Sequence, residues 1–263
     1  VSTPDTAAQP SFLPLLGAGL VGGLFSGVFG VGGGLIMVPL LLWWTTMEQK
    51  RAHATSLLAI TPAAIAGAVA YGVGGIFEWE IALLVALGAV IGAQVGAWLL
   101  RKTKVTILRW GFIAFVVFSA AGLLFQVPNR ETDLEITLIV GLLLFVVGLG
   151  MGLSAGLFGI GGGVIVIPVL VLFFGQSDLL AKGVSLLAMA PGSISGSISH
   201  MRHKTASLRD GAWVALGAVV TAPVGALFAF ALSPRLAAYL FAGLLFFIAS
   251  TLIIKALRSG TAS

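Results

Sequence analysis

Residues 24–39 read LFSGVFGVGGGLIMVP, and residues 153–168 read LSAGLFGIGGGVIVIP. The second stretch repeats the first 129 positions later, with 9 of 16 residues identical. The same offset aligns Ser56–Gly67 (SLLAITPAAIAG) with Ser185–Gly196 (SLLAMAPGSISG) at 7 of 12 positions. It also aligns Gly88–Ala97 with Gly217–Ala226 at 7 of 10. Three windows that keep one offset without a gap mark an internal duplication.

Each GxGGG cluster sits inside an uncharged apolar run. No charge occurs between Asp5 and Glu48, or between Glu135 and Asp178. The run from Phe12 to Met47 holds 36 residues. A straight helix of that length would measure about 54 Å, against a hydrocarbon core of about 30 Å. The run must therefore fold back or break. Gly30, Gly32, Gly33 and Gly34 mark the place, because consecutive glycines weaken a helix interior. The run from Ile136 to Ser177 breaks in the same way at Gly159, Gly161, Gly162 and Gly163. The other apolar runs cover residues 54–77, 81–100, 105–126, 183–199, 208–231 and 236–254. Two passes plus three give five per repeat, and an odd number makes the halves inverted. The expected fold is an all-α polytopic membrane protein of about ten transmembrane helices. These form two inverted five-helix repeats, residues 12–126 and 134–257, each with a helix broken at its Gly-rich segment.

Composition agrees with this class. Of the 263 residues, 59% are hydrophobic and 9% charged, whereas a soluble protein carries about 25% charged residues. The net charge of +5 comes from short loops beside apolar helices, so it sets membrane orientation and does not imply nucleic acid. With the first segment entering from the cytoplasm, eleven basic residues fall on the cytoplasmic side, among them Lys50, Arg51, Arg101, Lys102, Lys204 and Arg209. Three, Arg130, Lys182 and Arg235, fall outside, together with Glu78, Glu80, Glu131, Asp133, Glu135 and Asp178. The acidic loop at Glu78–Glu80 is the repeat equivalent of the basic loop at 202–209, as inversion predicts. The expected location is the inner (cytoplasmic) membrane, multi-pass, with both termini cytoplasmic. With no cysteine, disulfides and thiolate metal sites are excluded. No basic region or A-x-A site opens the chain, so a cleaved signal peptide is not expected.

The second piece of each broken run is short. From Gly34 to Met47 there are 14 residues, about 21 Å of helix, so its N-terminus lies below the membrane surface. A buried helix start carries unpaired N–H groups and a partial positive charge, and glycine lets a ligand approach that backbone. Such ends bind anions, and discontinuous helices meeting at a repeat interface hold the substrate in several transporter folds. The candidate site is therefore Gly30, Gly32, Gly33 and Gly34 with Gly159, Gly161, Gly162 and Gly163. Ser56 and Ser185 are repeat equivalents that either donate a hydroxyl to the anion or bond back to their own helix. Thr61, Gln94, Ser193, Ser195, Ser197 and Thr221 either line the path or tie helices together. Pro62 and Pro191, also equivalent, are expected to kink their helices. His53 and Lys182 are equivalent positions near opposite membrane surfaces and read as solvated loop residues or as anion attractors at each mouth. No Asp, Glu, Lys or Arg is expected deep in a span, which argues against a proton relay, a metal cage and a cation pump.

At the two GxGGG segments and the paired SLLAxxP helices, the chain resembles the TauE/SafE sulfite exporter family of bacterial membrane proteins. The likeness covers nearly the whole chain. It implies a carrier of small sulfur-containing anions such as sulfite or organosulfonates, with no cofactor. A small anion and the lipid bilayer are the expected partners, along with a coupling proton or ion. Neither the oligomeric state nor the compound is fixed by these residues. A passive anion channel is the competing reading. Gly152-Leu153-Ser154-Ala155-Gly156 also spells the G-x-S-x-G of serine hydrolases. It falls in an apolar helix with no intramembrane histidine, and it reads as part of a small-residue packing series.

Overall fold

The structure is a computed structural model and describes residues 10–76, 78–102, 105–125, 134–158, 162–202 and 207–260. Those residues form ten helices: α1 (Phe12–Phe29), α2 (Gly34–Trp44), α3 (Gln49–Val73), α4 (Trp79–Lys102), α5 (Val105–Phe125), α6 (Leu138–Phe158), α7 (Gly163–Leu172), α8 (Asp178–Arg202), α9 (Leu208–Ala231) and α10 (Pro234–Gly260). The five elements α1–α5 recur in order as α6–α10, in the register of the sequence repeat. Among the described residues, α1, α3, α6, α9 and α10 are long and apolar enough to cross a membrane. Large apolar side chains such as Trp43, Val73, Phe125, Leu138 and Leu227 point outward and are largely exposed. In water that surface would aggregate; in lipid it is the correct solvent.

Both long runs fold back where the glycines predict. Helix α1 stops at Gly30, which adopts a left-handed conformation (φ 69°) and donates its N–H to Ser26 O at 2.8 Å. Gly32 and Gly33 are also left-handed (φ 80° and 67°), a region closed to most side chains. Helix α2 then returns antiparallel to α1, with Met37 against Gly22 and Trp44 against Gly17. It has 11 residues and α7 has 10, about 15 Å each and too short to span.

The remaining packing has a two-fold pattern. The most extensive contacts join α1 to α9 and α4 to α6, which are one pair seen twice, since the repeat exchanges α1 with α6 and α4 with α9. Both are seams of glycine against backbone. Gly19, Gly23 and Gly27 meet Val214, Ala218 and Ala222, while Gly88, Gly148 and Gly152 meet Phe145, Val85 and Ala89. At each of these the partner's carbonyl oxygen occupies the place of a β-carbon, so the helices approach as closely as backbones can. The G-x-S-x-G stretch belongs to this seam, and Ser154 donates its hydroxyl to Met151 O at 2.8 Å within its own helix.

Equivalent helices α3 and α8 cross at the centre and run antiparallel. Leu57 meets Ser197, Thr61 meets Ser193, Gly67 meets Leu186 and Tyr71 meets Gly183. In this register Pro62 lies opposite Pro191. Both helices continue through their prolines without interruption. Arg51 at the start of α3 donates to Asp210 at the start of α9 at 2.7 Å, with Asp210 buried.

The seams set a sharp test of packing. Gly23→Val places branched carbons on Ala218 and Thr221 and is expected to cost 3 kcal/mol or more, on the order of the largest single-site effects. Gly243→Val on α10 meets nothing within 4 Å and is expected to change stability by no more than about 0.5 kcal/mol. Thermal unfolding of the two variants in detergent measures both.

Candidate functional site

The two breaks meet. Gly163, the first residue of α7, is buried against Gly30 and Val31 of the other break. A β-carbon there would lie 2.6 Å from Gly30 O, 2.9 Å from Val31 Cα and 2.7 Å from Ser185 Oγ. Ser185 donates its hydroxyl to Gly30 O at 2.8 Å and is fully buried. The carbonyl that α1 leaves open at its end is therefore satisfied by the opposite half. One turn earlier, Tyr71 Oη donates to Gly27 O at 2.7 Å. The carboxyl end of α1 and the amino ends of α2 and α7 thus lie together, a partial negative pole beside two partial positive poles.

Gly32 sits between Ile60 of α3 and Met189 of α8, which are repeat equivalents. The breaks are therefore positioned beside the central α3–α8 crossing. At the start of α2, Gly34 N–H turns back to Gly32 O at 2.8 Å, and Met37 N–H reaches Gly33 O at 2.9 Å. At the start of α7, Ile165 N–H and Val166 N–H both reach Gly162 O, at 3.0 and 3.3 Å. The equivalent glycines differ in conformation. Gly33 is left-handed, whereas Gly162 is right-handed (φ −84°). Space explains the second glycine, since a β-carbon at Gly162 would collide with the Met151 side chain.

Of the sequence-predicted site residues, the structure brings together Gly30, Gly32, Gly33, Gly34, Gly162, Gly163 and Ser185. Gly159 and Gly161 lie outside the described residues, as does the side chain of Ser195. Ser56 is buried on α3 but donates to His53 O at 2.9 Å, back to its own helix. Thr61 is a tie between the halves, donating to Ser193 Oγ at 2.9 Å. Ser197 and Thr221 do similar work, to Leu57 O at 3.2 Å and Leu20 O at 2.7 Å. Gln94 is exposed on α4 and does not join the group. An open groove at the start of α6, lined by Leu84, Ile136, Gly141 and Phe145, is apolar and shares no residue with the breaks.

One expectation needs correction. Lys182 is not a solvated loop residue: it is 2% exposed, lies within α8, and packs its Cα, Cβ and Cγ over Gly30. Asp178, Lys182 and Asp210 are all buried, each within the first two turns of its helix. The charges at Asp178 and Lys182, between apolar runs that end at Ser177 and resume at 183, made this stretch read as a loop. In the structure α8 begins at Asp178 and is covered by the neighbouring break. Sequence reasoning also passed over Ser26. Its Oγ is fully buried one turn before Gly30 and has no hydrogen-bond partner among the described residues. Nothing in its local sequence distinguishes it from a packing serine.

Comparison with known proteins follows the same outline. The family model described as "Sulfite exporter TauE/SafE" matches residues 2–123 and 144–263. The probable membrane transporter protein YunE of Bacillus subtilis (strain 168) is 25% identical over 217 residues, covering 73% of this chain and 78% of that protein. A probable membrane transporter protein of Xylella fastidiosa (strain Temecula1) is 27% identical over 236 residues, covering 85% and 87%. Another, from Xylella fastidiosa (strain 9a5c), is 28% identical over 203 residues, covering 73% and 75%.

Replacing Ser185 by alanine strands a buried carbonyl at Gly30, and the expected loss is about 1–3 kcal/mol of stability. Ser26→Ala removes a hydroxyl that already lacks a partner, and its expected effect on stability is neutral or favourable by about 1 kcal/mol. Paired thermal denaturation curves distinguish the two.

Proposed function

We propose a function from one premise: the chain belongs to the sulfite exporter TauE/SafE family. It is accordingly a multi-pass membrane transporter. The cargo is a small sulfur-containing anion, sulfite or an organosulfonate. It binds where the amino ends of α2 and α7 converge and crosses the cytoplasmic membrane by alternating access.

The observation that carries this reading is the contact of Gly163 with Gly30, Val31 and Ser185. The start of α7 and the Ser185 hydroxyl meet the break that leads into α2 there, beside the crossing of two equivalent helices. An oxyanion needs several hydrogen-bond donors and a positive potential, and helix starts supply both without a dedicated cation. Burial strengthens each such interaction. Gly30, Gly32–Gly34, Gly162, Gly163 and Ser185 form the proposed site. Gly159, Gly161 and Ser56 are its proposed counterparts in the symmetric arrangement, and Ser26 is a further donor.

The antiparallel pairing of α3 with α8 supports inverted halves, since equivalent helices related by an axis in the membrane plane must run in opposite directions. Inversion in turn supports alternating access, because exchanging the conformations of two inverted halves turns one open face into the other. The break regions are closely packed, with Met189 on Gly32 and Met151 on Gly162, so this conformation fits an occluded state. The distribution of basic residues supports cytoplasmic termini.

Two experiments test the reading. Sulfite at 100 times its dissociation constant is expected to stabilise the purified protein by about 2.7 kcal/mol. Gly34→Ala places a methyl group at the start of α2, where only the mobile Ile60 Cδ1 lies within 3 Å. That variant is expected to keep its basal stability within about 1 kcal/mol and to lose the sulfite effect. An unchanged sulfite response in Gly34→Ala removes the site. Topology is read from single cysteines in this cysteine-free chain. One replacing Glu78 is expected to react with an impermeant maleimide from outside, and one replacing Arg209 only after the membrane is opened. Labelling of both from one face contradicts inversion.

A further inference from the structure

One face of α8 carries Asp178, Lys182, Ser185, Met189 and Ser193, spaced so that they form a single stripe along the helix. The three middle residues each touch a break. Lys182 closes over Gly30, Ser185 donates to Gly30 O at 2.8 Å, and Met189 closes over Gly32. At the start of the stripe Lys182 Nζ lies 3.0 Å from Asp178 Oδ2, with side-chain exposures of 2% and 6%. The equivalent stripe on α3 reads Gln49, His53, Ser56, Ile60 and Ala64. It keeps the hydroxyl and lacks the ammonium–carboxylate pair, so the scaffold itself does not require that pair. Burying two charges is costly, and apolar residues of similar volume often serve stability as well or better. A pair kept beside the break without a need in the scaffold points instead to contact with a ligand.

We propose that Lys182 is a substrate-binding residue, the cation that receives the anion before it reaches the helix breaks, with Asp178 as its resting counter-ion. This rests on the transporter reading above. When the α1–α2 hairpin moves off α8, the anion exchanges with the Asp178 carboxylate for the ammonium. It then passes one turn along the stripe to Ser185 and the start of α7 at Gly163. The released Asp178 stays favourably placed, because it is the first residue of α8 and faces that helix's positive end. The equivalent turn of α3, with Gln49 and His53, lacks this pair, so the two mouths differ in anion affinity although the halves are repeats.

The test measures saturation of sulfite and methanesulfonate binding by thermal shift, in the wild type and in Lys182→Gln, Lys182→Arg, Asp178→Asn and the double Asp178→Asn/Lys182→Gln. Lys182→Gln is expected to raise the half-saturating sulfite concentration at least about tenfold, as loss of one charge-assisted hydrogen bond would. Lys182→Arg restores most of it. Asp178→Asn removes the charge that competes with the anion for the ammonium and is expected to lower the half-saturating concentration several-fold. Opposite signs for the two partners distinguish ligand binding from a structural pair. If both single variants weaken binding alike and the double recovers, the pair serves folding and the proposal is overturned. An unchanged saturation curve in Lys182→Gln overturns it too, and leaves the transporter reading standing. Should Lys182→Gln fail to fold, Asp178→Asn decides by the sign of its shift. A wild-type protein with no response to either anion overturns both readings.

Discussion

A polypeptide that stops being helical inside a membrane must find partners for its backbone N–H and C=O groups, since lipid offers none. Two such interruptions in this chain solve the problem jointly. The carbonyl of Gly30 at the end of α1 accepts from Ser185 in the other half, and Gly163 at the start of α7 packs onto that same carbonyl. Everything else serves to hold these groups in place. The glycine seams of α1 with α9 and α4 with α6 tie each broken helix to a continuous one from the opposite repeat. The α3–α8 crossing supplies Ile60 and Met189 from equivalent positions to close over Gly32.

The duplication is architectural, and the halves are not copies in detail. Methionine packing illustrates this. In the first half Met37 of α2 lies over Gly22 and Gly33. At the equivalent positions of the second half, α6 carries Met151 where α1 has Gly22, and α7 carries Val166 where α2 has Met37. Met151 then fills the space against Gly162. The same void is occupied from the opposite helix, as close packing demands of any interior. Charge departs from symmetry in the same manner. Arg51 with Asp210 joins the halves at one end of the molecule, while their equivalents Leu180 and Ile81 are apolar and belong to one buried cluster.

These departures matter for a transporter. On the proposed alternating-access reading, a perfectly symmetric pair of inverted halves would hold its two open states at equal energy. A population is shifted only by interactions that differ between the states. An ion pair at one end and an apolar contact at the other are such a difference. So is the Lys182–Asp178 pair set into a single α8 stripe.

Much of the architecture was legible in the chain itself. Repeat offset, apolar run length and consecutive glycines required ten helical segments with a fold-back at Gly30–Gly34, because hydrocarbon thickness and helix rise are fixed quantities. The family likeness rests on the same residues. Sequence could also nominate Ser185 and the glycines, since helix ends buried in lipid need donors and room. It could not tell Ser185, which crosses to Gly30, from its equivalent Ser56, which bonds to its own helix. Nor could it see that Gln94 faces outward or that Lys182 is buried. Those outcomes depend on which helix covers which face, and the cover comes from residues more than a hundred positions away. Local pattern determines where a helix must form and where it must stop; only the packed tertiary structure determines what each side chain then meets.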